Sequence, residues 1–230
     1  AKADFTKALE LDPQNETAVK ELANIYFNYR QFQNALDLAQ KCKTCSNKER
    51  IIAMCYFYME DYARAEKLLL SQATKNPKDA EIVYTLASNY LEMGLEAKAI
   101  TWYENAVQLD DKKSKWFFEL GLLYSNTQNY KKAVIAYNKA AELGFARSND
   151  FNENLGFAYV YSGDFENGEK LLSDLVRRKP GDKDLIREVA SAFYDSKNYD
   201  KALDFCQMLL EMDMKDGKAL YQAGLCFQKK

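Results

Sequence analysis

The sequence predicts an all-α solenoid of antiparallel helix pairs, and three observations carry that prediction. An apolar residue, a small residue and, three positions further on, an aromatic residue recur together along the whole chain, at successive offsets of 30, 34, 34, 35, 34 and 34 residues. That spacing is the period of helix-turn-helix repeat arrays. A second small residue follows the first by twelve positions in each unit. Small residues at helix crossings let two backbones approach while larger neighbours fill the flanks. The three prolines, Pro13, Pro77 and Pro180, each fall twelve residues after that second small residue. Proline cannot continue a helix interior, so each marks an end.

The elements follow in order. Residues 1–15 read as the second helix of a partial repeat, with Ala1 as its small residue and Pro13 at its end. Residues 16–45 carry Leu22, Ala23 and Tyr26, then Ala35, in a repeat of 30 residues that is short by about a helical turn. Residues 46–79 carry Ile52, Ala53 and Tyr56, then Ala65 and Pro77; residues 80–113 carry Leu86, Ala87 and Tyr90, then Ala99, with Asp111 in the proline slot. Residues 114–148 carry Leu120, Gly121 and Tyr124, then Ala133, with Phe145 in that slot. Residues 149–182 carry Leu155, Gly156 and Tyr159, then Gly168 and Pro180; residues 183–216 carry Val189, Ala190 and Phe193, then Ala202, with Met214 in the slot. Residues 217–230 open another first helix with Ala223, Gly224 and Phe227, giving six full repeats between two partial ones. Glycine inside a helix costs about 1 kcal/mol relative to alanine, so Gly121 is expected to repay that cost as a contact point. Neither end has the polar face of a capping repeat, and a chain continuing in both directions is expected.

Composition excludes whole classes of function. Histidine is absent, which removes His-based triads, His general bases and His metal sites. Lys and Arg number 32 against 34 Asp and Glu, so no basic surplus points to nucleic acid or an anionic membrane. No apolar run approaches the roughly 18 residues of a membrane span, and neither membrane insertion nor a nucleic-acid partner is expected. No nucleophile-base pair or phosphate-binding glycine loop is visible, and no cofactor is expected. The cysteines Cys42 and Cys45 form a Cys-x-x-Cys motif, but a zinc site needs two further close ligands and a redox pair belongs where a strand meets a helix. Cys42 is read as a small packing residue and Cys45 as a turn residue. Five cysteines used this way fit a reducing compartment such as the cytoplasm better than a secreted or periplasmic setting.

Phe117, Leu120, Gly121, Tyr124, Ala133, Tyr137 and Ala140 resemble the tetratricopeptide repeat, whose pattern of an aromatic, Leu-Gly, Tyr, then Ala, an aromatic and Ala they match nearly in full. The resemblance extends over the whole chain and implies a right-handed superhelix acting as a non-catalytic protein-interaction scaffold. In that family the free face of each first helix lines a concave groove for a peptide or a helix of a partner. Two residues before each apolar residue of the pattern stand Lys20, Arg50, Tyr84, Phe118, Glu153, Arg187 and Tyr221; two residues after it stand Asn24, Met54, Ser88, Leu122, Phe157, Ser191 and Leu225. Members of each pair are four apart and share one helix face. An exposed row with Tyr84, Phe118, Leu122, Phe157 and Tyr221 would call for a partner. The row passes from basic (Lys20, Arg50) through aromatic to mainly acidic (Asp150, Glu153, Asp184), which suggests a ligand of opposite polarity.

One subgroup of the family clamps the terminal carboxylates of heat-shock chaperones. Lys20 and Asn24 match the first part of that clamp, but Ile51 stands where Asn is needed and Glu81 and Thr85 where two cations are needed, so no chaperone-tail receptor is expected. Alternative roles are the regulatory or sensor arm of a larger enzyme or signalling protein, and self-association through the uncapped ends.

Overall fold

The computed structural model describes residues 1–230 except Thr44 and Ser46, the one inside the Cys-x-x-Cys motif and the other at an expected repeat boundary. Among the described residues the chain is helical throughout, without strands. It divides into two compact units, Ala1–Lys112 and Lys113–Lys230. The first contains α1 (Lys2–Leu11), α2 (Glu16–Asn28), α3 (Phe32–Lys41), α4 (Lys48–Tyr58), α5 (Tyr62–Lys75), α6 (Ala80–Glu92) and α7 (Glu96–Leu109). The second contains α8 (Ser114–Asn126), α9 (Tyr130–Glu142), α10 (Asn149–Ser162), α11 (Phe165–Arg178), α12 (Lys183–Asp195), α13 (Tyr199–Met212) and α14 (Gly217–Lys229).

Helix starts are set by short polar side chains. Asn15, Asp61, Asp79, Ser148, Asp164, Asp182, Asn198 and Asp216 each accept a hydrogen bond from a backbone N–H in the first turn of the helix that follows. This satisfies donors that the helix cannot pair internally. Helix ends are set by register. Pro13, Pro77 and Pro180 lie two residues beyond the last residues of α1, α5 and α11, and Asp111 and Met214 lie two residues beyond α7 and α13. α7 and α13 therefore stop at the same place without proline as α1, α5 and α11 do with it, while α9 ends three residues before Phe145. The short repeat loses its turn from α3, which has 10 residues where α5, α7, α9, α11 and α13 have 13 or 14.

The turn inside each pair has one feature the sequence hides. Arg30, Glu60, Gly94, Gln128, Gly163 and Lys197 all have φ between 57° and 93°, and they share the register of the repeat. A left-handed residue reverses the chain at each of these points, and only two of the six are glycine, the residue that adopts it without steric cost.

Within each pair the small residues lie at the crossing. Ala35, Ala65, Ala99, Ala133 and Ala202 are fully buried. A Cβ on Gly121 would lie 2.6 Å from two ring carbons of Tyr137, one on Gly156 would lie 2.8 Å from Leu172, and one on Gly168 would lie 3.2 Å from the Gly156 carbonyl. Gly224 departs from the expectation, since nothing lies within 4 Å of its Cβ position. Ala1 is exposed.

Successive first helices in each unit pack on one another, α2 on α4 and α4 on α6, then α8 on α10, α10 on α12 and α12 on α14. Second helices make at most marginal contact among themselves. The first helices thus form the inner layer of each unit.

The cysteines require a correction. Cys42 and Cys45 are joined by a disulfide, so they are not free packing and turn residues. Because α3 ends early, Cys42 is its C-cap in an extended conformation, and the chain returns with a Cα separation of 5.8 Å to Cys45, within disulfide reach. Cys55, Cys206 and Cys226 are free and buried, and burial pushes the Cys55 thiol up to about 12 and that of Cys206 to about 11. Unfolding in alkylating reagent without reductant is expected to label three thiols per chain, and five after reduction. Five labels without reductant would contradict the disulfide.

Candidate functional site on the inner layer

The expected row of inner-face residues divides between the two units. In the first, Arg50 projects from α4 and is held by Asp79 (Nε to Oδ2, 3.0 Å) and Glu81 (Nη2 to Oε2, 3.0 Å). Its charge is met within the fold, so of the two cations at the basic start of the row Arg50 is neutralised. Asn24, Arg50 and Met54 come together in a cleft of about 430 Å³, where Glu21, Phe27 and Glu81 join them. Met54 is buried, and Lys20 is half-buried outside the cleft. Tyr84 is half-buried and meets Tyr103 edge to face at 5.7 Å. Ser88 shares a hydrogen bond of 3.0 Å with the Tyr103 hydroxyl. Tyr84 and Ser88 therefore pack against α7 and do not stand free.

In the second unit the expected anchor Phe118 is claimed by the chain itself. Its ring stacks on Phe145 at 4.5 Å and on Phe151 at 5.7 Å, beside Tyr137 at 5.8 Å. Phe145 stands where the repeat pattern has proline, so a departure from the pattern fills the space above Phe118. Leu122 and Leu225 are half-buried, and Tyr221 is 70% exposed. Of the aromatic and aliphatic row expected to be exposed, only Tyr221 is; Tyr84, Phe118, Leu122 and Phe157 are half-buried because each first helix also packs on its neighbours.

Phe157, Arg187 and Ser191 do come together. They line a cleft of about 670 Å³ with Tyr161 of α10, Asp184 and Glu188 of α12 and Lys218 of α14. Phe157 and Tyr161 are one turn apart and present adjacent rings. Arg187 donates from Nη1 to Asp184 and from Nη2 to Asp216, both at 2.8 Å. Its Nε is buried with no acceptor among the described residues. Ser191 accepts from the Gln222 amide at 3.1 Å. Glu153, one turn before Phe157, has its carboxyl raised by burial, with Glu188, Asp150 and Asp182 adding repulsion. The Tyr161 hydroxyl is raised by burial and by the charges of Asp195 and Glu188. The sequence reading missed Tyr161, Glu188 and Lys218. Continuing the four-residue row one turn past Phe157 would have reached Tyr161, whereas Glu188 and Lys218 carry no repeat signal.

Asp216 ties this cleft to helix α14. It accepts from the Ala219 and Lys218 amides and pairs with Arg187, and these contacts, the Ala219 amide foremost, hold its carboxyl below the usual aspartate value. A carboxyl more acidic in the folded chain stabilises it above the unfolded value, and that stabilisation is lost as pH falls through the folded value. Acidification below about pH 4 is therefore expected to lower the protection of α14 amides relative to their intrinsic exchange rate at each pH, and Asp216→Asn is expected to remove much of that pH dependence. An unchanged profile in Asp216→Asn would show that another group governs it.

Among the described residues no cluster of three or more metal-binding side chains occurs, and no helix is long and apolar enough to cross a membrane.

Stacked helix pairs with small residues at their crossings and an inner layer of first helices define a helical-repeat protein. The chain belongs to the tetratricopeptide repeat family, whose models match residues 80–113, 117–143 and 154–217. Members of this family are in general protein-interaction scaffolds. The human protein O-mannosyl-transferase TMTC1 is 29% identical over 133 residues, 57% of this chain. The chain spans about 15% of that relative's length and about 16% of the related human TMTC3. Among solved structures, the C-terminal part of a repeat protein from Cytophaga hutchinsonii superposes with a TM-score of 0.64 at 17% identity, covering 96% of this chain and 92% of that one. YrrB, described as having an unusual peptide-binding site, superposes with a TM-score of 0.52 at 17% identity, covering 96% of this chain and 98% of that one. At such identities the likeness speaks for the fold.

Proposed function

We propose that the chain is a non-catalytic scaffold that holds a peptide or helix of a partner protein on the inner face of its first helices. The observation that carries this reading is the cleft around Phe157, Tyr161 and Arg187, about 670 Å³ in size and open between α10, α12 and α14. It combines an aromatic surface, Phe157 and Tyr161, with exposed charges of both signs, Glu188 and Lys218. The smaller cleft at Asn24, Arg50 and Met54 is a second contact of the same kind in the first unit.

Amide exchange on the full chain, alone and bound to its partner, tests the reading. Protection is expected in α10 and α12, and to a lesser degree in α2 and α4. Protection confined to the second helices would place the partner on the opposite side.

A further inference from the structure

The cleft of the second unit also has a charge pattern, and with it the kind of side chain it suits. This step rests on the peptide-binding reading above. We propose that the cleft receives an arginine or lysine side chain from a basic segment of the partner, laid along Phe157 and Tyr161 with its charge against Glu188.

Three observations support this. The first is the aromatic surface. Phe157 and Tyr161 are neighbours on one face of α10, and a cation over such rings is attracted by their π-faces. The chain uses the same contact on its outside, where Lys98 lies 4.9 Å from the Tyr90 ring centre and Lys132 lies 5.1 Å from that of Tyr124.

The second is the balance of uncommitted charge. Arg187 is enclosed by Asp184 and Asp216, so it offers a ligand little net positive charge. Glu188 lines the cleft and has no hydrogen bond or ion pair among the described residues. Its charge reaches both Glu153 and Tyr161. Asp195 acts on Tyr161 as well. Against these carboxylates stands one uncommitted cation, Lys218, on the lining contributed by α14.

The third is what relieves the crowding. Glu153 is burdened by Glu188, Asp150 and Asp182, with Lys179 alone as a compensating charge. A guanidinium or ammonium entering beside Glu188 offsets that repulsion, whereas an incoming carboxylate would add to it. An arginine fits best in shape, since its flat guanidinium stacks on a ring while donating in the plane to a carboxylate.

Two exposed residues of opposite sign, Glu188 and Lys218, make the test. Three blocked pentapeptides are used as probes, Gly-Gly-Arg-Gly-Gly and its counterparts with Glu or Gln in place of Arg. Binding to the full chain is followed by NMR at the ring resonances of Phe157 and Tyr161. The arginine peptide is expected to shift these rings. Glu188→Lys is expected to weaken that binding, and Lys218→Glu to strengthen it, each by about two- to fivefold as for an exposed charge pair. Circular dichroism checks that both variants keep their helices; if either does not, Glu188→Gln and Lys218→Gln give the same signs with smaller size. Equal binding of the Gln peptide would overturn the charge assignment. Preference for the Glu peptide, weakened by Lys218→Glu, would overturn the polarity and leave the peptide-site reading standing. No shift at α10 or α12 with any of the three would bring down both.

Discussion

Replacing Gly121 by leucine is expected to destabilise the chain by about 1 to 3 kcal/mol or more, the cost of forcing extra carbons into a packed core. The size follows from what the side chain would meet. Even a Cβ would lie 2.6 Å from the ring of Tyr137, closer than two carbons can approach. That ring cannot retreat easily. Tyr137 is fully buried, its hydroxyl is 3.2 Å from that of Ser125, and Phe118 and Phe151 lie 5.8 and 5.9 Å from it. At Gly224, which occupies the same place in the repeat, an added Cβ meets nothing within 4 Å. Gly224→Leu is expected to be neutral or slightly stabilising, because leucine is the better helix former. Urea unfolding of the two variants gives the comparison. Because repeat arrays lose stability near the lesion first, faster amide exchange in α8 and α9 should precede loss elsewhere. Equal destabilisation at both glycines would mean that helix propensity and not the crossing decides the cost.

The second large effect is expected in binding. Phe157→Ala together with Tyr161→Ala should reduce partner capture by at least about 30-fold, since truncating an aromatic hot spot often costs about 2 kcal/mol or more. Phe157 also packs against the buried cluster around Val189 and Phe193, so stability is measured beside affinity. Tyr161 is the cleaner of the two: it stacks on Tyr130 at 4.8 Å and is 36% exposed, and its single substitution should weaken capture with little loss of stability. The expected anchor Phe118 is less informative. Phe118 is held by Phe145 and Phe151, and its removal would disturb the core before it disturbed a ligand.

The repeat was legible because its signal is steric and recurs. Gly121 and Tyr137 lie sixteen residues apart in sequence, and the same spacing relates Gly156 to Leu172, so one packing rule written several times can be read from one chain. The left-handed turn residues were not legible. At Arg30, Glu60, Gln128 and Lys197 the conformation is imposed by the helices on either side and not by the residue itself. The disulfide was missed because it depends on where α3 stops, which no local residue announces. The groove was legible only as a row of positions. Which of them remain available depends on neighbours from other repeats: Phe145 covers Phe118, Asp79 and Glu81 hold Arg50, and Tyr161 completes the cleft at Phe157.

The central claim, that a partner protein binds the inner layer of first helices, is tested most directly by comparing two double variants in the same unit. Phe157→Ala with Tyr161→Ala alters the cleft, while Lys131→Ala with Lys139→Ala alters the second helix α9. Partner capture is measured for both, with circular dichroism and thermal melting as controls for folding. Capture is expected to be lost in the aromatic pair and kept in the lysine pair. Loss in the lysine pair with capture intact in the aromatic pair would contradict the claim and put the partner on the outer helices.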